Sequence, residues 1–261
     1  MRAFHLTYSS NLRDPLFPDE ALRRRALRVL ARVAGDRAVL FCIVDDHLHN
    51  VVLCDKARVG RVAEGLRRAL SPLAGAQLAP AHIRPVEGRS HMQWLVRYVL
   101  NQPSKHGLST HPALWTGSCF ADLIGARCVP GLTLRLADAL PRFHWRDACA
   151  LVGLDPTTVS PASNGEVRTA GAARLVAAAG AAFAVGPELS GKSRGAVTAK
   201  RAAVQLGFAA GLARSELAWA VDQPLRSVRR LAASPLDTAS LATVRRRIAL
   251  ENAVAFSGQG A

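Results

Sequence analysis

Residues 38–54 read Ala-Val-Leu-Phe-Cys-Ile-Val-Asp-Asp-His-Leu-His-Asn-Val-Val-Leu-Cys, and the fold follows from how this stretch divides. The run 38–45 is apolar up to its closing aspartate, too short for a helix and rich in β-branched side chains, which predicts a central strand. Asp45-Asp46 marks a turn, and 47–54 then returns antiparallel to the first run. Upstream, 18–34 places Leu22, Ala26, Val29, Leu30 and Val33 at helical spacing, while Arg23, Arg24, Arg25, Arg28 and Arg32 fall mostly off that stripe. Asp19 and Glu20 open this helix and Gly35 closes it. Residues 2–8 alternate as a strand; Val59, Val62, Leu66 and Leu70 define a second amphipathic helix that ends before Pro72; 82–86 reads as a weaker strand. The order strand, helix, strand, strand, helix, strand predicts an α+β fold with a ferredoxin-like antiparallel sheet and both helices on one face. Ser90 is the expected cap of a further helix carrying Met92, Leu95, Val96, Val99 and Leu100, which Pro103 stops.

The 261 residues are 49% hydrophobic and 20% charged, the balance of a chain that buries a core. Lys plus Arg number 34 against 19 Asp plus Glu, a formal charge of +15 that attracts polyanions, nucleic acid first among them. No run of about 18 uncharged apolar residues is present to span a bilayer, so no membrane partner is expected. The Ala-rich stretch 172–185 is short and interrupted by Arg174, and the N-terminus alternates like a strand without a signal-peptide core. The expected location is therefore the cytoplasm, at the nucleoid. Cys42, Cys54, Cys119, Cys128 and Cys149 are odd in number and widely spaced, which argues for ordinary thiols over a disulfide framework or zinc site. Turn formers crowd 155–171, which reads as a linker or long surface loop, and helix follows. The expected division is a first domain over 1–150, a linker and Ala-rich helix over 151–190, and a last domain over 191–261.

His47 and His49 are one residue apart, and in a strand positions i and i+2 project from the same face. Two imidazoles then converge on one point and supply two nitrogen ligands to a divalent ion, leaving other coordination positions open to a substrate oxygen. The pattern His-x-His is common by chance, and a surface pair of histidines on a half-exposed strand produces it as well.

The context of this pair resembles the single-tyrosine HUH transposases, in particular those associated with repetitive extragenic palindromes. His-Leu-His-Asn-Val-Val-Leu-Cys follows an apolar strand and an Asp-Asp turn, and further on Arg97-Tyr98-Val99-Leu100-Asn101-Gln102-Pro103-Ser104-Lys105-His106-Gly107-Leu108 is similar to the family's catalytic helix, R-Y-I-x-x-N-P-V-R-A-G-L. Ala113-Leu114-Trp115-Thr116-Gly117-Ser118-Cys119-Phe120 is similar to the family's P-W-S-S-Y segment, so the resemblance covers residues 1 to about 125 with three motifs in order. It implies metal-dependent cleavage and rejoining of single-stranded or hairpin DNA, with Tyr98 attacking a phosphodiester to give a 5′-phosphotyrosine and a free 3′-hydroxyl. A phenol with a pKa near 10 is a weak nucleophile at neutral pH, and Mg²⁺ or Mn²⁺ on the phosphate would compensate. Gln102, at i+4 from Tyr98, stands where the family places an amide that completes the metal site, with Asn50 and Asn101 as alternatives. Lys105 matches a basic family position; Asn50 and the Ser104-Lys105-His106 triplet depart from the pattern.

Residues 190–250 hold 11 basic residues against 3 acidic. A helix is expected over 199–206, broken at Gly211; Ser215 can cap a short helix through Val221; Asp222-Gln223-Pro224 starts another with Arg226, Ser227, Arg229 and Arg230 on its surface. Two short helices joined by a tight turn, the second strongly basic, have the features of a helix-turn-helix. The string 211–221 with Ser227-Val228-Arg229-Arg230-Leu231 is similar to the origin-binding domain of the DnaA initiator. That resemblance implies duplex DNA at this module, with Arg226, Arg229 and Arg230 on phosphates or in the major groove and Arg245, Arg246 and Arg247 adding salt-dependent affinity. An arginine-rich solvated helix bundle gives the same composition.

Besides the enzyme, the sequence admits a DNA-binding regulator that keeps both domains without turnover, and an RNA-binding sheet. The last needs exposed aromatics on central strands, whereas Phe41 sits in an apolar run.

Overall fold

The computed structural model describes residues 1–10, 14–109 and 111–257. They divide into two compact units, Met1–Leu123 with Pro130–Gly153, and Ile124–Val129 with Leu154–Ala261. The protein is α+β, with one four-stranded antiparallel sheet in the first unit and helices throughout the second.

In the first unit the order is β1 (Arg2–Ser9), α1 (Glu20–Ala34), β2 (Ala38–Ile43), β3 (His47–Cys54), α2 (Lys56–Leu70) and β4 (His82–Pro85), with the strands side by side as β2-β3-β1-β4. Asp19 caps α1 by accepting from the Leu22 N–H at 2.7 Å. The alternation of β1 buries Phe4, Leu6 and Tyr8 on one face, and the Tyr8 hydroxyl donates to the Ala63 carbonyl of α2 at 3.1 Å, so this is the face that α2 covers. Register carries the division across the sheet: Tyr8 pairs with Leu48, Leu6 with Asn50 and Thr7 with His49. Full burial of Leu6, Leu27, Leu30 and Leu66 stabilises this layer by roughly 1.5–3 kcal/mol per side chain before entropy is counted.

The 38–45 run, expected at the centre of the sheet, instead supplies its edge strand, β2. It is buried at every position because that edge is closed as well: the Ile43 N–H donates to the Gly117 carbonyl at 2.9 Å and the Cys119 N–H to the Phe41 carbonyl at 3.1 Å. A Cβ on Gly117 would stand 2.0 Å from the Ile43 carbonyl oxygen, so only glycine permits this closure. Trp115 reinforces it by donating Nε1–H to Ile43 O at 2.7 Å under the Arg23 guanidinium, which makes it a packing residue.

The sheet is followed by α3 (Gly88–Leu100) and α4 (Gln102–Lys105). Ser90 does not cap α3; the helix begins two residues earlier, where the His91 Nδ1 accepts from the Glu87 N–H at 3.1 Å and satisfies an end donor in its place. Met92, Leu95, Val96, Val99 and Leu100 form its buried stripe. Pro103 does not end the helical path but falls in the first turn of α4, where its missing N–H costs nothing. The unit is completed by α5 (Phe120–Leu123), α6 (Leu136–Ala139) and α7 (Trp145–Leu151).

The second unit holds α8 (Asn164–Ala182), α9 (Arg194–Ala209), α10 (Arg214–Ala220), α11 (Leu225–Ala233) and α12 (Thr238–Ser257). The stretch 155–171, expected as a linker or loop, is helical from Asn164. Ser163 accepts from the Glu166 N–H while the Glu166 carboxylate accepts from the Ser163 N–H at 2.8 Å, a reciprocal cap that starts a helix amid turn-forming residues. Gly171, at φ +74°, breaks α8 internally. The core is alanine-rich, with Ala178, Ala179, Ala199, Ala202 and Ala203 buried against Leu175, Leu217, Val228 and Ile248. Ser215 lies inside α10, and Ala213 occupies the cap position. Between α10 and α11 the chain turns through Asp222 at φ +50°.

None of the five cysteines forms a disulfide, and four are buried. No described helix is long and apolar enough to cross a membrane.

Candidate active site

The face of the sheet opposite α2 carries the chemistry. β1 presents His5 and Thr7 there and β3 presents His47 and His49, because both strands alternate and Thr7 is paired with His49. The His47 and His49 Nε2 atoms stand 3.0 Å apart, so the two rings aim at one point. Each ring has a partner on its other nitrogen. His47 Nδ1 donates to the Asp46 carboxylate at 2.5 Å, and His49 Nδ1 faces His5 Nε2 at 3.0 Å, with the Thr7 hydroxyl 3.4 Å away.

Burial determines the protonation of this cluster. His49 is only 3% exposed, and desolvation, joined by His47 and His5, pushes its pKa down to about 3. Desolvation above all, joined by the electrostatic influence of His91, Arg84 and His82, lowers His5 to about 4. Both rings are neutral at physiological pH and have lone pairs to offer.

Tyr98 reaches the cluster from α3. Its ring is 5.2 Å from that of His49 and 6.4 Å from that of His5, edge-on to both. Trp94, one turn earlier, stacks on it at 4.8 Å and 14°. Gln102 is fully buried; its Nε2 donates to the Tyr98 carbonyl at 3.1 Å and its amide interacts with His49, opposing the depression there. Its Oε1 nevertheless completes no hydrogen bond of good geometry among the described residues. Lys105 holds Nζ 5.2 Å from the Tyr98 ring centre, and the His106 ring lies 4.9 Å from that of His47. The chain thus gathers His47, His49, Tyr98, Gln102 and Lys105 at one place.

Asn50 and Asn101 are not gathered there. Asn50 pairs with Leu6 and Phe41 on the α2 side of the sheet, since it is one residue out of step with the histidines. Asn101 donates to the Arg97 and Leu151 carbonyls. His5, Asp46 and His106 join the cluster without having been singled out from the sequence. The signal for His5 was present in principle, since it alternates with the apolar Phe4 and Leu6, but its neighbour is 44 residues away and only strand register brings them together.

The expected cations of the second unit divide in two. Arg226, Arg229 and Arg230 are exposed on α11. Arg245 donates to the Ala162 carbonyl at 2.6 Å and to Asn164, Arg246 to the Ile124 carbonyl at 3.4 Å, and Arg247 pairs with Glu251 at 2.7 Å. Those three brace their own unit.

Among the described residues no three His, Cys, Asp or Glu side chains form a group able to hold a metal ion. An ion at the two imidazoles would need a donor of another kind beside them. Two nitrogens ligating one ion at about 2.1 Å and about 90° to each other stand about 3.0 Å apart, which is the His47–His49 separation. The unsatisfied Gln102 Oε1 supplies a further oxygen donor of the type a divalent ion accepts. The donor set fits.

Fold and site together define an α+β protein with a histidine-pair and tyrosine centre on the face of an antiparallel sheet opposite α2. The chain matches no model of a known protein family, and no curated protein matches it. Among solved structures it is similar to one described as the REP-associated tyrosine transposase bound to a REP hairpin, with 14% sequence identity and a TM-score of 0.41 over 51% of this chain and 82% of that one.

Proposed function

We propose that the chain is a metal-dependent enzyme that cleaves and rejoins single-stranded DNA, at or near a hairpin, through Tyr98. The observation that carries this reading is convergence: two strand-borne Nε2 atoms 3.0 Å apart and a helix-borne phenol ring 5.2 Å from one of the imidazoles share one face of one sheet. The motif order in the sequence, His47-x-His49 before Tyr98-x-x-x-Gln102, agrees with it.

In this reading His47, His49 and Gln102 hold a Mg²⁺ or Mn²⁺ ion. When bound, the ion neutralises charge on a phosphate oxygen and makes the phosphorus a better electrophile. Ligation through both Nε2 atoms requires a proton on both Nδ1 atoms. The Asp46 carboxylate accepts one of these protons and His5 Nε2 the other, so the two acceptors select the ligating tautomers. The Tyr98 oxygen forms a bond to phosphorus as the bond from phosphorus to the 3′ oxygen breaks. The phenol loses its proton and the departing oxygen gains one, leaving a 5′-phosphotyrosine and a 3′-hydroxyl. Lys105, exposed above the Tyr98 ring, supplies positive charge for the strand backbone. Reversal by another 3′-hydroxyl rejoins DNA without an external energy source.

The second unit acts in this proposal as a duplex-binding helix-turn-helix of α10 and α11. Arg226, Arg229 and Arg230 are its exposed cations, consistent with the overall charge of +15.

The test is incubation of the full chain with end-labelled hairpin DNA and Mg²⁺ or Mn²⁺. A covalent protein–DNA adduct is expected from the wild type, and none from Tyr98→Phe or in chelator. A wild-type protein that binds the hairpin without forming an adduct would be a regulator and not an enzyme.

A further inference from the structure

Trp94 is 55% exposed and stands beside the proposed nucleophile. Its stack on Tyr98, 4.8 Å between centres and 14° between planes, covers one face of the indole. The other ring beside it, that of His91, stands 6.2 Å away and is tilted by 55°, so it is not stacked on the indole. Trp94 and Tyr98 are i and i+4 on α3, so the helix itself sets this spacing. Both line a cavity of 560 Å³ that is walled on its far side by β4. There Arg84 pairs with His5 and His82 with Thr7, so the exposed Arg84 guanidinium and the His82 ring project on the same sheet face as the histidine pair, with Glu87 as the one acidic residue lining the cavity.

From this we infer a nucleotide subsite next to Tyr98: the open face of Trp94 stacks one unpaired base of the strand being cut, while Arg84 meets its backbone phosphate. The inference rests on the DNA-cleaving reading above. It adds which part of the substrate lies where, and why that part is single-stranded. A base in a duplex has both faces covered by its neighbours, whereas an unpaired base can place one against an indole. A platform of fixed orientation is more useful than a mobile one, and Tyr98 provides the fixing contact from below. The stack also links base position to nucleophile position, because a base seated on Trp94 is separated from the phenol ring by the thickness of a single indole.

The experiment measures affinity of the full, metal-free chain for a fluorescently labelled single-stranded oligonucleotide by anisotropy, with one abasic site walked along the strand. Trp94→Leu keeps an apolar cover on Tyr98 but has no π face, and Trp94→Phe keeps a smaller one. We expect Trp94→Leu to weaken binding of the intact strand by about five- to a hundredfold and Trp94→Phe by clearly less. At one abasic position the wild type should fall to the affinity of Trp94→Leu, and that variant should lose nothing more. Affinity for a fully paired duplex should not change. The inference is overturned if Trp94→Leu binds the intact strand as well as the wild type, if its loss is the same at every abasic position, or if the duplex is weakened equally. It is also overturned if RNA of the same sequence is the better Trp94-dependent ligand. Adduct formation by the wild type is read separately. An adduct without base coupling removes the platform and leaves the enzyme standing, while base coupling without an adduct does the reverse.

Discussion

His5 Nε2 and His49 Nδ1 lie 3.0 Å apart across the β1–β3 pairing, so the imidazole deepest in the cluster is oriented by a residue from another strand. A partner on the non-ligating nitrogen fixes a metal-binding histidine's tautomer, and its loss usually lowers metal affinity 10- to 100-fold. His5→Ala should accordingly raise the Kd for Mn²⁺, measured by calorimetry or by electron paramagnetic resonance, by a factor in that range. His5→Gln, whose amide reaches the same point, should recover most of it. Equal affinity in wild type and His5→Ala would leave His5 with only a packing role.

Acid should weaken the fold of the metal-free protein through these same rings. Histidine titrates near 6.5 when unfolded, whereas burial, above all, holds His49 to about 3 and His5 to about 4 in the fold. The unfolded chain thus takes up protons that the folded chain refuses. Their contribution to stability is whole above about pH 6.5 and is lost progressively as pH falls from 6.5 through about 4 for His5 and toward about 3 for His49. The urea midpoint should drop between about pH 7.5 and about pH 5, and less so in a His5→Gln, His49→Gln double variant. A double variant with the same pH profile as the wild type would assign the acid sensitivity elsewhere.

Asn50 is fully buried on the α2 side of the sheet, and neither its Oδ1 nor its Nδ2 finds a partner among the described residues. A buried amide in that state costs about 1–3 kcal/mol of desolvation. Asn50→Val, with a side chain suited to a strand, should raise the thermal midpoint in calorimetry and leave Tyr98 adduct formation unaltered. A lowered midpoint would mean that the amide is satisfied in solution.

The two groups of arginines in the second unit should separate experimentally. The triple variant Arg226→Ala, Arg229→Ala, Arg230→Ala should weaken duplex binding and make log K less steep against log salt, by about 0.9 for each phosphate that is no longer neutralised. Arg245→Ala, which removes hydrogen bonds to the Ala162 carbonyl and to Asn164, should cost about 1 kcal/mol of stability and leave the salt slope alone. The opposite pattern in the two variants would exchange their roles.

Much of the first unit was legible because its signals are local. Alternation in 2–8, the turn and returning run of 45–54, helical spacing in 18–34 and the caps Asp19 and Gly35 are each encoded within a few residues, and the i, i+2 rule alone puts His47 and His49 on one face. The start of α3 escapes a local reading because a serine at position 90 is a good cap in general, while here the His91 ring performs that service from within the helix. The edge position of β2 escapes it because composition records burial and not location. Gly117 and Cys119, more than 70 residues downstream, cover the edge and make it resemble a centre.

By itself, then, the sequence determined the element types, their order, the paired imidazoles and the excess of positive charge, all properties of neighbours along the chain. Only tertiary structure decided that His5 backs His49, that Asn50 turns away from the site, that Trp94 lies flat on Tyr98 beside a cavity, and that Arg245, Arg246 and Arg247 are engaged within their own unit. The physical reason is register and helix docking. A shift of one residue in the β1–β3 pairing would reverse every facing without altering the pattern of either strand, so the assembled sheet, with a helix across each face, is what selects one arrangement.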